Sequence, residues 1–274
     1  MSSSYQALIA ALDSETFDPD VFRKAGVFVV RNAIPQHVVR AWRDEWERFY
    51  DAELRGGRQV NRANPVALTE MLPPLLAHMY REPAFAAVLK QVFGEHVALY
   101  NHRFVIKDDF STAPVFLHQD SCYHLGNLNK CSIFTPLSAA NAANGALTFH
   151  VGSHKLGVLG DAGEINPDSF DIKWPTITPE LAPGDFVLMN SSLWHQSGPN
   201  TSGLHRIVAD TIFQPADDPT GKELICGEWQ TDVFYSTQNH IRYFVNSRIH
   251  KLIKYEQERA AQTAAPAGAQ PNAQ

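Results

Sequence analysis

Two stretches carry the side chains best able to do chemistry. The first is Phe116-Leu117-His118-Gln119-Asp120, and the second, with its histidine 75 residues after Asp120, is Trp194-His195-Gln196-Ser197-Gly198-Pro199-Asn200. His-x-Asp behind an apolar lead-in reads as a β-strand running into a loop. Residues two apart in a strand point the same way, so His118 and Asp120 face one point in space. An imidazole and a carboxylate can grip a metal ion but leave its coordination unfinished. His195 can supply the third ligand. Two histidines and one carboxylate, with the other positions open, form the facial triad of non-haem Fe(II) sites. Eleven residues past His195 stands Arg206. The Gly-Pro-Asn and Ser202-Gly203 turns between them let the chain double back as a hairpin and bring the guanidinium near the second histidine. Such a group grips a carboxylate through two parallel hydrogen bonds. Each motif alone is weak, because a lone histidine is far more often an ordinary core or surface residue.

The elements that must hold these groups are read from periodicity. Residues 5–25 predict a short helical region, with Asp18 or Asp20 able to cap a turn at Val21. Val27–Val30 is a buried strand. Pro35 opens an amphipathic helix with Val38, Val39, Trp42, Trp46, Phe49 and Tyr50 on one face, and Gly56-Gly57 ends it. Short helices follow at 74–80 and 83–93. From Val97 the period becomes two. One face of the strand 97–106 then carries Asn101 and Arg103, which line a wet cavity or face solvent. Further strands fall at 132–138, 146–151, 185–190, 193–197 and 204–213, separated by Asn144-Gly145, Pro183-Gly184 and Ser202-Gly203. Strands this short and numerous predict a mainly β protein with flanking helices, a sandwich or barrel such as a jelly roll. The expected organisation is a single domain over 1–260. It comprises N-terminal helices in 5–93, a core at about 95–215 and a C-terminal helix at about 236–260. A disordered tail, 261–274, follows. The stretch 158–180 reads as a long loop of the kind that often binds ligands.

Composition narrows the function classes. Of 274 residues, 44% are hydrophobic and 19% charged, enough to build a substantial core. The formal net charge is −6 and no basic block occurs, which argues against nucleic acid or an anionic membrane as partner. No apolar run reaches the length of a membrane span, and Met1-Ser2-Ser3-Ser4-Tyr5 lacks a secretory signature. The three cysteines, Cys122, Cys131 and Cys226, offer neither a disulfide framework nor a zinc ribbon, so a reducing cytoplasm is the expected setting. The oligomeric state is left open.

Taken in order, the motifs resemble those of the phytanoyl-CoA dioxygenase-like family of Fe(II)/2-oxoglutarate oxygenases. The matching pieces are His118-x-Asp120, Asn144-Gly145-Ala146-Leu147 with Gly152-Ser153-His154, Pro183-Gly184-Asp185, and His195-x-Ser197-Gly198-Pro199-Asn200 with Arg206. The likeness spans roughly 95–215. It implies a cupin-like double-stranded β-helix in which His118, Asp120 and His195 ligate iron. It further implies that Arg206, helped by Ser197, pairs with the distal carboxylate of 2-oxoglutarate. Asn101 and Thr135 occupy places near the same cosubstrate. The implied cofactors are Fe(II), 2-oxoglutarate and O2, with succinate and CO2 as co-products. A carboxylate at position 120, where related halogenases have a small residue, implies hydroxylation or a related oxidation. Phe149-His150 departs from the family pattern and leaves the role of His150 open.

Substrate contacts are expected near the cavity mouth from Arg103, Tyr123, His124, Asn129 and Trp194, with Lys130 and Tyr235 nearby. Arg, Lys, Tyr and His together suit a polar or anionic small molecule. Gly152-Ser153-His154 is read first as a structural turn, and Cys122 as a small buried hydrophobe. Two other classes stay open at this point. One is a non-catalytic cupin-like metal-binding or sensing protein, and the other is a metal-dependent isomerase or hydrolase that works without O2.

Overall fold

The structure is a computed structural model. It describes residues 3–54, 66–68, 71–109, 111–159 and 174–229, with 253, 255–258 and 260 near the C-terminus. The chain divides into a unit spanning residues 1–236 and a second spanning 237–274. In the second unit the described positions are helical. The rest of the helix expected over 236–260, the tail 261–274, Tyr235, Gly56-Gly57 and most of the loop 158–180 lie outside the described residues.

Runs of β-branched and aromatic residues become strands: β1 (Asp13–Ser14), β2 (Val27–Val30), β3 (Val66–Leu68), β4 (Val97–Lys107), β5 (Val115–His118) and β6 (Cys131–Pro136). They continue as β7 (Leu147–His150), β8 (Thr176–Ile177), β9 (Phe186–Asn190), β10 (His195–Ser197), β11 (Arg206–Pro215) and β12 (Glu223–Cys226). The larger sheet has the order β1-β2-β9-β6-β11-β4-β12, with β3 also on β4, and the smaller has the order β5-β10-β7-β8. From β4 to β11 the chain passes back and forth between these sheets. This is the winding of a double-stranded β-helix, a cupin-like jelly roll. β1, β3, β8 and β12 escape the periodicity analysis because two to four residues carry too little pattern.

The helices are α1 (Ser3–Ala10), α2 (Pro19–Ala25), α3 (Gln36–Phe49), α4 (Pro74–Ala77) and α5 (Pro83–Phe93). The apolar stripe of α3 buries Trp42 and Trp46, and Trp46 stacks on Phe104 of β4 with ring centroids 4.6 Å apart. Phe85 of α5 meets Phe186 of β9 edge-on at 5.3 Å. These contacts make a core on the outer face of the larger sheet, joined by Leu76, Ile106, Ile133 and Leu188. A second core fills the space between the sheets, with Phe134, Phe149, Val187 and Val208. α3 ends in a π-helical turn, Tyr50–Leu54, and Tyr50 donates its hydroxyl to Asp108 at 2.7 Å.

Two sequence signals work as anticipated. Asp18 caps α2, its carboxylate accepting from the amides of Asp20 (2.8 Å) and Val21 (3.1 Å). Those amides have no intrahelical partner, so Asp18→Ala is expected to cost about 1 kcal/mol. A lower denaturant midpoint at unchanged slope would report it. In the Pro183-Gly184-Asp185 turn, Asp185 accepts from Arg31 at 2.7 Å and from the Asn32 and Ala182 amides. That knot fixes the entry into β9.

Candidate metal and cosubstrate site

His118 ends β5 and His195 opens β10, and the two strands pair antiparallel with these residues directly opposite. A bulge in β5 places both Val115 and His118 across from β10 residues two apart, Ser197 and His195. After His118 the chain stays extended through Gln119 and enters a 3-10 turn at Asp120. Asp120 Oδ1 then lies 3.6 Å from His118 Nε2 and 3.7 Å from His195 Nε2. One ligand atom from each of the three residues falls within 4.8 Å of the others.

Both rings are held in the tautomer that a metal needs. His118 Nδ1 lies 2.7 Å from the Phe116 carbonyl, and His195 Nδ1 lies 3.0 Å from the Leu193 carbonyl. A carbonyl only accepts, so Nδ1 carries the proton in each ring and the Nε2 lone pair points at the gap. Desolvation pulls the His195 pKa down to about 4, which keeps that ring neutral at neutral pH. Burial pushes the Asp120 carboxyl up, but the His195 and His118 rings outweigh it and hold the group well below the usual carboxylate range. Asp120 Oδ2 also accepts from Ser132 Oγ at 3.3 Å.

Strand register orders the rest of the pocket. Residues 206, 208, 210 and 212 of β11 share one face and lie opposite Lys107, Val105, Arg103 and Asn101 of β4. Val208 of this face belongs to the core between the sheets. At one end stands Arg206, 2% exposed, with its Nε lacking a hydrogen-bond partner and no ion pair among the described residues. Desolvation pulls its pKa down to about 10. Ser197 Oγ is likewise buried without a partner. In the middle, Arg103 and Asp210 form an ion pair at 2.8 Å. Burial lowers the Arg103 pKa, but Asp210 and Asp120 outweigh it and raise the net value. Asn101 lies one pair beyond, opposite Ile212.

The residues present suit a divalent metal and a dicarboxylate. The donor set is two imidazoles and one carboxylate, which suits Fe(II) with open positions. A buried guanidinium and a buried hydroxyl without partners are costly unless an anion meets them.

Several expected contacts sit elsewhere. Thr135 is on the alternate face of β6 with Ile133, opposite Ala209, in the outer core, and the inward positions are Ser132 and Phe134. Trp194 is fully buried, its ring 5.2 Å from Trp174 and its amide bonded to Ser153 Oγ. Ser153 Oγ also donates to the His150 carbonyl, so the Gly-Ser-His turn braces the strand end that delivers His195. Lys130 is buried against Asp218 at 2.5 Å and beneath the Tyr100 ring, so its charge is already answered. Asn129 lines a separate cavity of ≈ 200 Å³ with Phe22, Cys131 and His154. Proximity in sequence to a ligand does not decide which way a side chain points or which distant group answers it. Tyr123 and His124 do stay close, Tyr123 with its ring 6.4 Å from His118 and His124 with its ring tilted against Tyr100, centroids 4.9 Å apart.

Three participants carried no motif. Gln119, between two ligands, donates to the Gly157 and Ser192 carbonyls and accepts from the Leu159 amide. Ser132 supports Asp120, and Asp210 holds Arg103. An inward polar residue in an otherwise apolar alternation was the available signal for the last two.

A His-Asp-His face at the mouth of a double-stranded β-helix, with a buried arginine behind it, defines the class: a cupin-like fold of the Fe/2-oxoglutarate oxygenase type. The model of the family described as Phytanoyl-CoA dioxygenase (PhyH) matches residues 22–208, and the chain belongs to that family. Among curated relatives, the 1-deoxypentalenic acid 11-beta-hydroxylase of Streptomyces arenae is 28% identical over 165 residues, 52% of this chain and 58% of that protein. A probable phytanoyl-CoA dioxygenase of Caenorhabditis elegans is 22% identical, with 69% of this chain and 72% of that one covered. Among solved structures, the non-heme alpha ketoglutarate dependent epimerase SnoN from nogalamycin biosynthesis matches with a TM-score of 0.61 at 18% identity, over 78% of this chain and 84% of that one. No helix among the described residues is long and apolar enough to cross a membrane.

Proposed function

We propose that this protein is an Fe(II)- and 2-oxoglutarate-dependent dioxygenase that oxidises an unactivated C–H bond of a small polar or anionic metabolite, releasing succinate and CO2. The observation that carries the reading is Arg206: a buried cation with no anion paired to it among the described residues, on the strand face that also carries Asp210. A purely structural metal site would need neither open coordination positions nor a carboxylate clamp. This favours an enzyme over a cupin-like binding or sensing protein. Membership of the PhyH family supports the same choice.

In this reading His118, Asp120 and His195 would hold the iron, Arg206 and Ser197 would take the distal carboxylate of 2-oxoglutarate, and Asn101 would contribute an amide to the cosubstrate site. When bound, iron and 2-oxoglutarate supply the oxidant that takes hydrogen from the substrate. The chain's own residues bind, orient and shield. The Nδ1–carbonyl bonds fix both ligand rings, Ser132 steadies Asp120, and the apolar pair Val105 and Val208 separates Arg206 from the Arg103–Asp210 pair on the same face. Arg103, Tyr123 and His124 face the substrate, Arg103 aimed by Asp210. Asp120 at the carboxylate position leaves no room for a halide ligand, so the outcome is hydroxylation or a related oxidation. The relatives named above include a hydroxylase and an epimerase, and both types of outcome are compatible with these residues.

The test is a substrate screen read by succinate formation with Fe(II) and 2-oxoglutarate, run with and without O2. Substrate-dependent succinate that requires O2 is expected. Turnover that persists without O2 would instead fit an isomerase or hydrolase. Polar analogues of a hit, anionic ones included, are expected to compete with it more strongly than apolar ones, because Arg103, Tyr123 and His124 offer polar atoms to the substrate. Equal turnover of an uncharged, lipid-like compound would refute the substrate class.

A further inference from the structure

We propose that Lys107 is a positioning residue of the cosubstrate site, a second buried cation that holds the Ser197–Gly198 segment beside Arg206 and adds its charge to the field at the distal carboxylate. The inference rests on the 2-oxoglutarate reading above and deepens it. Lys107 is the last residue of β4 and lies directly opposite Arg206 of β11, so both side chains take the same inward face. It is fully buried, and no carboxylate pairs with it among the described residues. Its Nζ donates to the Ala113 carbonyl at 2.9 Å and to the Gly198 carbonyl. Ala113 leads into β5 and Gly198 follows β10. One ammonium therefore ties together the strand pair bearing Arg206, the approach to His118 and the segment bearing Ser197.

The surroundings are shaped to admit this side chain. Gly145 sits at φ +82, and a Cβ there would lie 2.8 Å from Lys107 Cδ, 3.0 Å from its Nζ and 2.6 Å from the Gly198 carbonyl. The Asn144-Gly145 turn thus leaves a space that Lys107 fills. Asn200, in the turn after β10, bonds through its amide nitrogens to the Thr112 carbonyl (2.9 Å) and the Lys107 carbonyl (3.3 Å). Three separated segments, at 113, 145 and 198, meet at this one amine.

Two unanswered cations side by side are unfavourable in the empty pocket and favourable once a carboxylate enters. Desolvation and the neighbouring Arg206 bring the Lys107 pKa down to about 7. Arg206 is the one ionisable group that faces Lys107 from β11, and the segments at 112–114, 143–145 and 198–200 present none. Asp108 and His205, next in sequence to Lys107 and Arg206, are engaged elsewhere, Asp108 by Tyr50 and His205 with Asp109 at 3.6 Å. The sign follows. Below about pH 7 the amine is charged and the site binds the dianion best. Above it, binding must take up a proton, and the affinity falls by up to about tenfold per pH unit until the bound-state pKa is passed.

The experiment is titration calorimetry of 2-oxoglutarate into the Fe(II)-loaded full chain under argon. It is run from about pH 6 to about pH 9 in buffers of differing ionisation heat, on wild type, Lys107→Arg and Lys107→Met. Wild type is expected to take up close to one proton on binding above neutral pH and to weaken as pH rises. Lys107→Arg should bind with little pH dependence and no proton uptake. Lys107→Met, if it folds, should bind 2-oxoglutarate weakly at every pH and without proton uptake. Wild-type binding without proton uptake, or a pH profile unchanged in Lys107→Arg, would overturn the proposal while leaving the oxygenase reading intact. Failure of wild type to bind 2-oxoglutarate at any pH would overturn both.

Discussion

His118→Ala is expected to abolish turnover. Removing a group that merely supports a ligand costs roughly 10–100-fold in metal affinity or activity, and removing the ligand itself must cost more. His118 would supply one of the three protein donors proposed for the metal, and its Nε2 sits 3.6 Å from Asp120 Oδ1. Without it the remaining pair, Asp120 and His195, spans a single edge of the coordination sphere. The buried Asp120 also loses one of the two rings that hold its carboxyl ionised, so its pKa should rise. Iron content after anaerobic loading and succinate formation should fall together. The fold should hold, because His118 ends an edge strand of the smaller sheet and is not a core residue. Normal activity in this variant would remove the metal assignment altogether.

Arg206→Ala should act mainly on the cosubstrate. Leaving a buried carboxylate without its partner costs roughly 2–5 kcal/mol, which is at least about thirtyfold in the KM for 2-oxoglutarate. The kcat at saturation should change far less, since Arg206 is remote from the ligand atoms along β11. Arg206→Lys should recover only part of the loss, because an ammonium cannot make the paired, planar contact of a guanidinium. Stability offers a second readout. An unpartnered buried charge destabilises the empty protein, so Arg206→Met is expected to raise Tm in the absence of 2-oxoglutarate and to remove the stabilisation that 2-oxoglutarate confers on wild type. An unchanged KM in Arg206→Ala would break the link between this end of the pocket and the cosubstrate.

Periodicity and local chemistry made the ligand set legible before any coordinates. His-x-Asp after an apolar run, a histidine after β9 and an arginine after a Gly-Pro-Asn turn are short-range patterns, and short-range patterns survive in a linear string. The helix carrying Trp42 and Trp46, the cap at Asp18 and most strands of the jelly roll were readable for the same reason. Face and partner were not. Thr135 and Ser132 look equally plausible as pocket residues, yet the pairing of β6 with β11 sends Ser132 inward and Thr135 outward. Lys130 and Lys107 are both lysines flanking a motif. One is neutralised by Asp218, 88 residues away, and the other stands opposite an arginine. Trp194, adjacent to a ligand, is fully buried with its ring against Trp174. The sequence by itself therefore determined which residue types could bind a metal and a dicarboxylate, because those choices depend on side-chain chemistry and local repeat. Tertiary structure alone decided which polar groups share a wall and which charges are already answered, because a strand's register with its neighbours, far off in the chain, sets where each side chain points.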